Sequence, residues 1–169
     1  MEDIRSWGLM VVAVGLSVAL AGCDPAIPVG MGPQPIAYNH QKHLAMGLEC
    51  TTCHTTVTTK PVAGKPSVET CMTCHAAPLT DNPQEEIIRK TAEAGGELQW
   101  RQITLVPDFV YFSHARHVAV GRIGCEDCHG DMSVHAAPIT RPAVLPSMEF
   151  CIECHSRRTV SVDCIACHR

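Results

Sequence analysis

Large aromatic side chains are scarce: three Phe, two Tyr and two Trp make up only 4% of the 169 residues. Such side chains usually dominate buried area. A chain of this length that is 46% apolar would suit one globular domain, yet its interior needs something besides polypeptide to fill it. Basic runs are missing too. With 13 Lys and Arg against 17 Asp and Glu, the net charge is −4, and no segment carries the electrostatic footprint of a nucleic-acid binder.

Cysteine is abundant. Ten of the eleven fall in five Cys-x-x-Cys pairs, each followed at once by histidine. They are CTTCH (Cys50, Cys53, His54), CMTCH (Cys71, Cys74, His75), CEDCH (Cys125, Cys128, His129), CIECH (Cys151, Cys154, His155) and CIACH (Cys164, Cys167, His168). Zinc ribbons and disulfide frameworks also use paired cysteines, but neither needs histidine directly after the second one. With histidine near 6% of the chain, five such coincidences have a probability of about one in a million, and Cys-x-x-Cys-His is the attachment signature of c-type haem. On a helical turn, i and i+3 share a face with i+4 beside them. Two thioether bonds can therefore pin a porphyrin while the histidine reaches its iron. Five covalently bound haems are expected.

Ten histidines less those in the motifs leave five: His40, His43, His114, His117 and His135. That count equals the number of irons needing a second ligand. Met46, Met72, Met132 and Met148 lie near the motifs and are alternatives, although Met72 and Met148 suit packing against porphyrin better.

The chain also repeats itself. "YNHQKHLAMGLECTTCH" (residues 38–54) aligns with "FSHARHVAVGRIGCEDCH" (residues 112–129): an aromatic, a small polar residue, His-x-x-His, then Gly and an attachment motif, with one extra residue in the second copy. Downstream, "KPSVETCMTCH" matches "LPSMEFCIECH", which reads as a repeated helix start capped by Ser67 and Ser147. The chain divides accordingly into an N-terminal segment (1–35), a dihaem module (36–80), a linker (81–111) and a trihaem module (112–169).

His-x-x-His followed by several attachment motifs in a short chain resembles the class III multihaem cytochromes c. The resemblance implies that the first histidine of each pair ligates the haem of the next motif and the second a neighbouring haem. Carried over, His40 caps the haem of His54, His43 that of His75, His114 that of His129 and His117 that of His155, which leaves His135 for the haem of His168. With two protein ligands on every iron, no site is open to a small substrate. The expected role is outer-sphere electron transfer at the low potentials that paired histidines favour, with no catalytic residues.

The first residues concern location. An apolar run from Trp7 to Gly22 is barely long enough to span a bilayer. Leu20-Ala21-Gly22-Cys23 resembles the lipobox of bacterial lipoproteins, with Cys23 as the lipidated residue and the cysteine left over by the haem count. Against it, the stretch Met1 to Arg5 holds two acids and a single Arg, poor for a signal peptide. A lipoprotein, a retained membrane anchor and a cleaved soluble protein all remain open. Each places the haem domain on the extracytoplasmic side of a bacterial cytoplasmic membrane.

In the linker, Asn82 followed by Pro83 and Glu85 reads as a helix start and Gly95-Gly96 as its stop, giving an amphipathic spacer helix over 83–94. RQITLV and FVYF, split by Pro107-Asp108, read as a small pair of strands. The expected fold is mostly irregular, with short α-helices, a small β-hairpin and a core dominated by haem.

The N-terminus, five motifs, the two-plus-three arrangement and "WRQITLVPDFVYFSHARH" together resemble the pentahaem subunit of alternative complex III, a bacterial quinol oxidoreductase. That resemblance implies iron-sulfur and integral membrane subunits as partners. It also implies a monohaem cytochrome c, a copper protein or a terminal oxidase as acceptor. A freestanding periplasmic carrier and a haem enzyme with one open iron are the alternatives.

Overall fold

The computed structural model describes residues 32–169, so the apolar run and Cys23 lie outside the described residues. Helix α1 (His40–Ala45) is capped by the Asn39 side chain, which accepts from the amide of Lys42, and the chain leaves it at Gly47, whose φ of +82° only glycine adopts freely. A four-residue turn, α2 (Cys50–Cys53), carries the first cysteine pair. Ser67 caps α3 (Val68–His75) and Ser147 caps α6 (Met148–Arg157), accepting from the amides of Thr70 and Phe150. Both repeated helix starts are thus present as the sequence suggests.

Asn82 caps α4 (Pro83–Glu93), which ends at Gly95, with the Gly96 amide returning to the Thr91 carbonyl at 2.9 Å. This helix packs on α3. Ile36, Val68, Ile88 and Leu98 form a small buried cluster, with Tyr38, Cys71, Met72, Ala92 and Trp100 against it. Trp100 stays in register because its indole N–H donates to the Pro66 carbonyl at 2.9 Å. Glu97 accepts from the Val68 amide at 2.8 Å and so supplies a second cap to α3. Beyond Leu98 no described residue is buried, in keeping with a haem-dominated core.

The second copy differs from the first at one place. A π-helical turn over Arg116–Val120 carries His117, and a Cβ on Gly121 would meet the His117 carbonyl oxygen at 2.7 Å, so glycine is required there. The Leu48 amide donates to the His43 carbonyl, whereas in the second copy Ile123 donates to His117. Arg122 therefore stands where the first copy has Gly47, in the left-handed region at φ +50°, and the extra residue is taken up in the π-helical turn before it. After it come α5 (Glu126–His129), a 3₁₀ turn (Met132–Val134) packed on α1, α6 and the final short α7 (Cys164–Cys167).

The expected pair of strands is not there: among the described residues the β pairing is a single bridge between Val110 and His168. Each segment finds another partner. Arg101 gives its amide to the Gln34 side chain and its guanidinium to the Pro33 carbonyl. Tyr111 donates to the Cys167 carbonyl at 2.7 Å, and the Arg169 amide donates to Phe109 at 3.0 Å. With their edges taken up separately, the two stretches have no reason to pair. In addition, no helix among the described residues is long and apolar enough to cross a membrane.

Candidate haem-binding site

Whether these residues fit haem iron can be tested on the histidine rings. Two imidazoles on opposite faces of one metal, with metal–nitrogen bonds of about 2 Å, place their ring centres roughly 6 Å apart. The rings of His43 and His75 are 6.2 Å apart, those of His114 and His129 6.3 Å, and those of His117 and His155 6.1 Å. They are three of the five pairings that the class III resemblance implies; among the described residues no ring contact joins His40 to His54. They were brought together from positions up to 38 residues apart in sequence, across helices that share no ladder.

Tautomer provides a second test. A ligating histidine usually gives its other ring N–H to a carbonyl or carboxylate, which fixes the ring and frees the opposite nitrogen for the metal. Nδ1 of His43 lies 2.8 Å from the Asn39 carbonyl and that of His117 2.7 Å from the Ser113 carbonyl, each one helical turn back. Nδ1 of His54 meets the Gly64 carbonyl at 2.9 Å, that of His114 the Pro61 carbonyl at 3.0 Å and that of His155 the Ser161 carbonyl at 2.8 Å. In all five, Nε2 is left free.

The charged forms of His40 and His129 are disfavoured. Burial holds His40 down to about 4, helped by the neighbouring His54, His135 and His43. Burial, with His114 and His54 behind it, also lowers His129. An uncharged imidazole is the form that binds iron.

The aromatic residue preceding each His-x-x-His has a job that the sequence reading left unassigned. Tyr38 stacks on His43 at 4.5 Å and meets His40 edge-on at 4.7 Å. Phe112 repeats this on His117 at 4.6 Å and His114 at 4.8 Å. One ring therefore orients both histidines of the His-x-x-His in each copy; its presence at the same offset in both copies was the available signal.

His135 is placed differently from the pairing the resemblance left for it. Its carbonyl accepts from the Gln41 amide at 3.1 Å, in α1, and its ring is among those acting on His40. His168 instead stacks on Phe109 at 5.8 Å, and no ring contact among the described residues joins it to His135.

The motifs also have an order in space. Besides burial, the neighbouring thiols of Cys53, Cys50, Cys154 and Cys167 act on Cys71, Cys125, Cys128 and Cys151 respectively, which places those motifs side by side. Backbone contacts agree: the His114 and Ala115 amides donate to the carbonyls of Pro61 and Lys60, joining the first motif's loop to the second copy. Arg158 lies 3.8 Å from Asp127, joining the third and fourth motifs across a cavity of about 200 Å³ between Cys128 and Cys154. The order of neighbours is CMTCH, CTTCH, CEDCH, CIECH, CIACH, which differs from chain order only at its first two members.

Residues 24–97 match the model of the class III cytochrome c family, and residues 110–169 match that of cytochrome c7 and related cytochromes c. The chain belongs to the multihaem cytochromes c of the class III and cytochrome c7 type. A multihaem cytochrome c subunit of menaquinone reductase from Nitratidesulfovibrio vulgaris is 35% identical over 121 residues, covering 69% of this chain. This cytochrome spans 56% of that relative's length. Covalently bound c-type haem and a role in electron transfer follow from the family.

Proposed function

We propose that this cytochrome is a pentahaem electron relay and a subunit of a quinol-oxidising complex of the alternative complex III kind. The observation that carries the reading is the set of three imidazole pairs 6.1–6.3 Å apart. When bound, each haem would supply a one-electron couple. The chain's own work is to hold these sites in a line. Cys50, Cys53, Cys71, Cys74, Cys125, Cys128, Cys151, Cys154, Cys164 and Cys167 anchor the macrocycles, and His54, His75, His129, His155 and His168 serve as their proximal ligands. His43, His114 and His117 serve as distal ligands, with His40 beside His54 and His135 next to α1. The carbonyls of Asn39, Gly64, Pro61, Ser113 and Ser161 keep the rings turned.

In this reading the N-terminal segment, through Cys23 or the apolar run before it, tethers the haem domain to the outer face of the cytoplasmic membrane. Iron-sulfur and integral membrane subunits deliver electrons from quinol, and a monohaem cytochrome c, copper protein or terminal oxidase accepts them. Support for a quinone-linked complex comes from the relative, a subunit of menaquinone reductase. That name also favours a second reading, in which electrons run through the same line toward quinone.

The test is to solubilise native membranes in mild detergent, separate complexes on a native gel stained for haem, and add a quinol analogue to the band. A large band whose haems reduce on quinol addition supports quinol oxidation. Haems that stay oxidised with quinol, but when pre-reduced pass electrons to added quinone, support the second reading. A small band indifferent to both rejects the complex and leaves a freestanding carrier.

A further inference from the structure

Five of the histidines give Nδ1 to a backbone carbonyl, but His75 faces a carboxylate. Its Nδ1 is buried without a hydrogen-bond partner at ordinary range, and Glu85 Oε2 lies 3.6 Å away. Glu85 is itself buried, at 6% exposure. It sits in the first turn of α4, where a reciprocal cap would turn it back toward the amide of Asn82. That amide instead donates to the Thr80 hydroxyl oxygen, and Glu85 is spent on the neighbouring loop. Its Oε1 accepts from the Thr80 hydroxyl at 2.6 Å and its Oε2 from the Leu79 amide at 2.8 Å, with Arg89 3.7 Å away. These donors leave the carboxylate pinned beside Nδ1 of the His75 ring.

We propose that Glu85 is a positioning residue for the second motif, fixing the His75 ring through Nδ1–H and holding that site at a lower potential than a carbonyl partner would. The inference rests on the reading that His75 and His43 ligate one iron. On one-electron reduction no bond breaks and the proton stays on Nδ1. The positive charge beside the carboxylate falls by one, so the carboxylate favours the oxidised state. Arg89 offsets part of this charge, which predicts opposite effects for the two residues. Because the second motif stands at one end of the spatial order, the line has a terminus tuned by a side chain that is absent from the other attachment sites whose Nδ1 partners are known.

The test is a spectroelectrochemical titration of the full-length holocytochrome, with electron paramagnetic resonance of its low-spin signals, for wild type, Glu85→Gln, Glu85→Asp and Arg89→Gln. Glu85→Gln is expected to raise one transition so that its oxidised-to-reduced ratio at a fixed potential falls about tenfold, equivalent to about 59 mV for one electron. Glu85→Asp should restore most of the wild-type value, and Arg89→Gln should move the same transition down. Unmoved transitions in both Gln variants, with low-spin signals intact, overturn the role of Glu85 and leave the ligation reading standing. A wild-type protein lacking the bis-histidine low-spin signal for this site overturns both.

Discussion

The two halves of the chain carry the same repeated unit and solve the packing problem differently. In the first half α4 folds back on α3, and Ile36, Val68, Ile88 and Leu98 make a polypeptide core, small but continuous. In the second half α6 starts with the same serine cap, yet Met148 and Ile152 on it are 58% and 42% exposed. No helix equivalent to α4 covers them. Burial, which stabilises most domains, would be left there to haem attached at the motifs. The same haem-binding unit can therefore be held by protein or by cofactor, and the linker helix makes the difference.

The largest effect follows from withholding haem. In a chain with all ten motif cysteines changed to alanine, hydrogen exchange should show residues 112–169 without protection while part of 66–98 keeps some. Equal loss in both halves would erase the contrast. Next comes the core itself: Ile88→Ala should cost about 2–4 kcal/mol in denaturant unfolding of the holoprotein. Ile152→Ala, at a half-exposed site, should cost less than about 1 kcal/mol. A comparable loss at Ile152 would mean that α6 is packed more firmly than its exposure implies.

The aromatic pair sharpens the comparison further. Tyr38→Leu and Phe112→Leu each remove a ring stacked on a histidine of the repeated pair, His43 or His117, worth about 0.5–1.5 kcal/mol beyond area. Both should broaden the low-spin resonance signals, Phe112→Leu more so because its half has less packing to hold the histidines. The smallest effect concerns the caps: Ser67→Ala and Ser147→Ala should each cost about 1 kcal/mol. The loss should be somewhat smaller at Ser67, where Glu97 still accepts from the Val68 amide.

Much of the haem-binding chemistry was legible before any fold. The attachment motifs, the paired histidines, both serine caps and the α4 boundaries depend on residues within a few positions of one another, and local spacing on a helical turn decides them. The strand pair was misread because β pairing is decided by whichever partner reaches an edge first. Gln34 and Arg169 come from distant parts of the chain. The placement of His135 beside α1 was hidden for the same reason.

By itself, then, the sequence determined that the chain carries covalent c-type haem, and it displays five attachment motifs with as many spare histidines, because attachment and ligand spacing are local chemistry. The tertiary structure alone decided which motifs are neighbours, that the second copy takes up its extra residue in a π-helical turn and leaves Arg122 in the left-handed region, and that Glu85 turns from its own helix toward His75. Those outcomes depend on how segments far apart in the chain compete for the same backbone groups and the same small core, and no local pattern records the result.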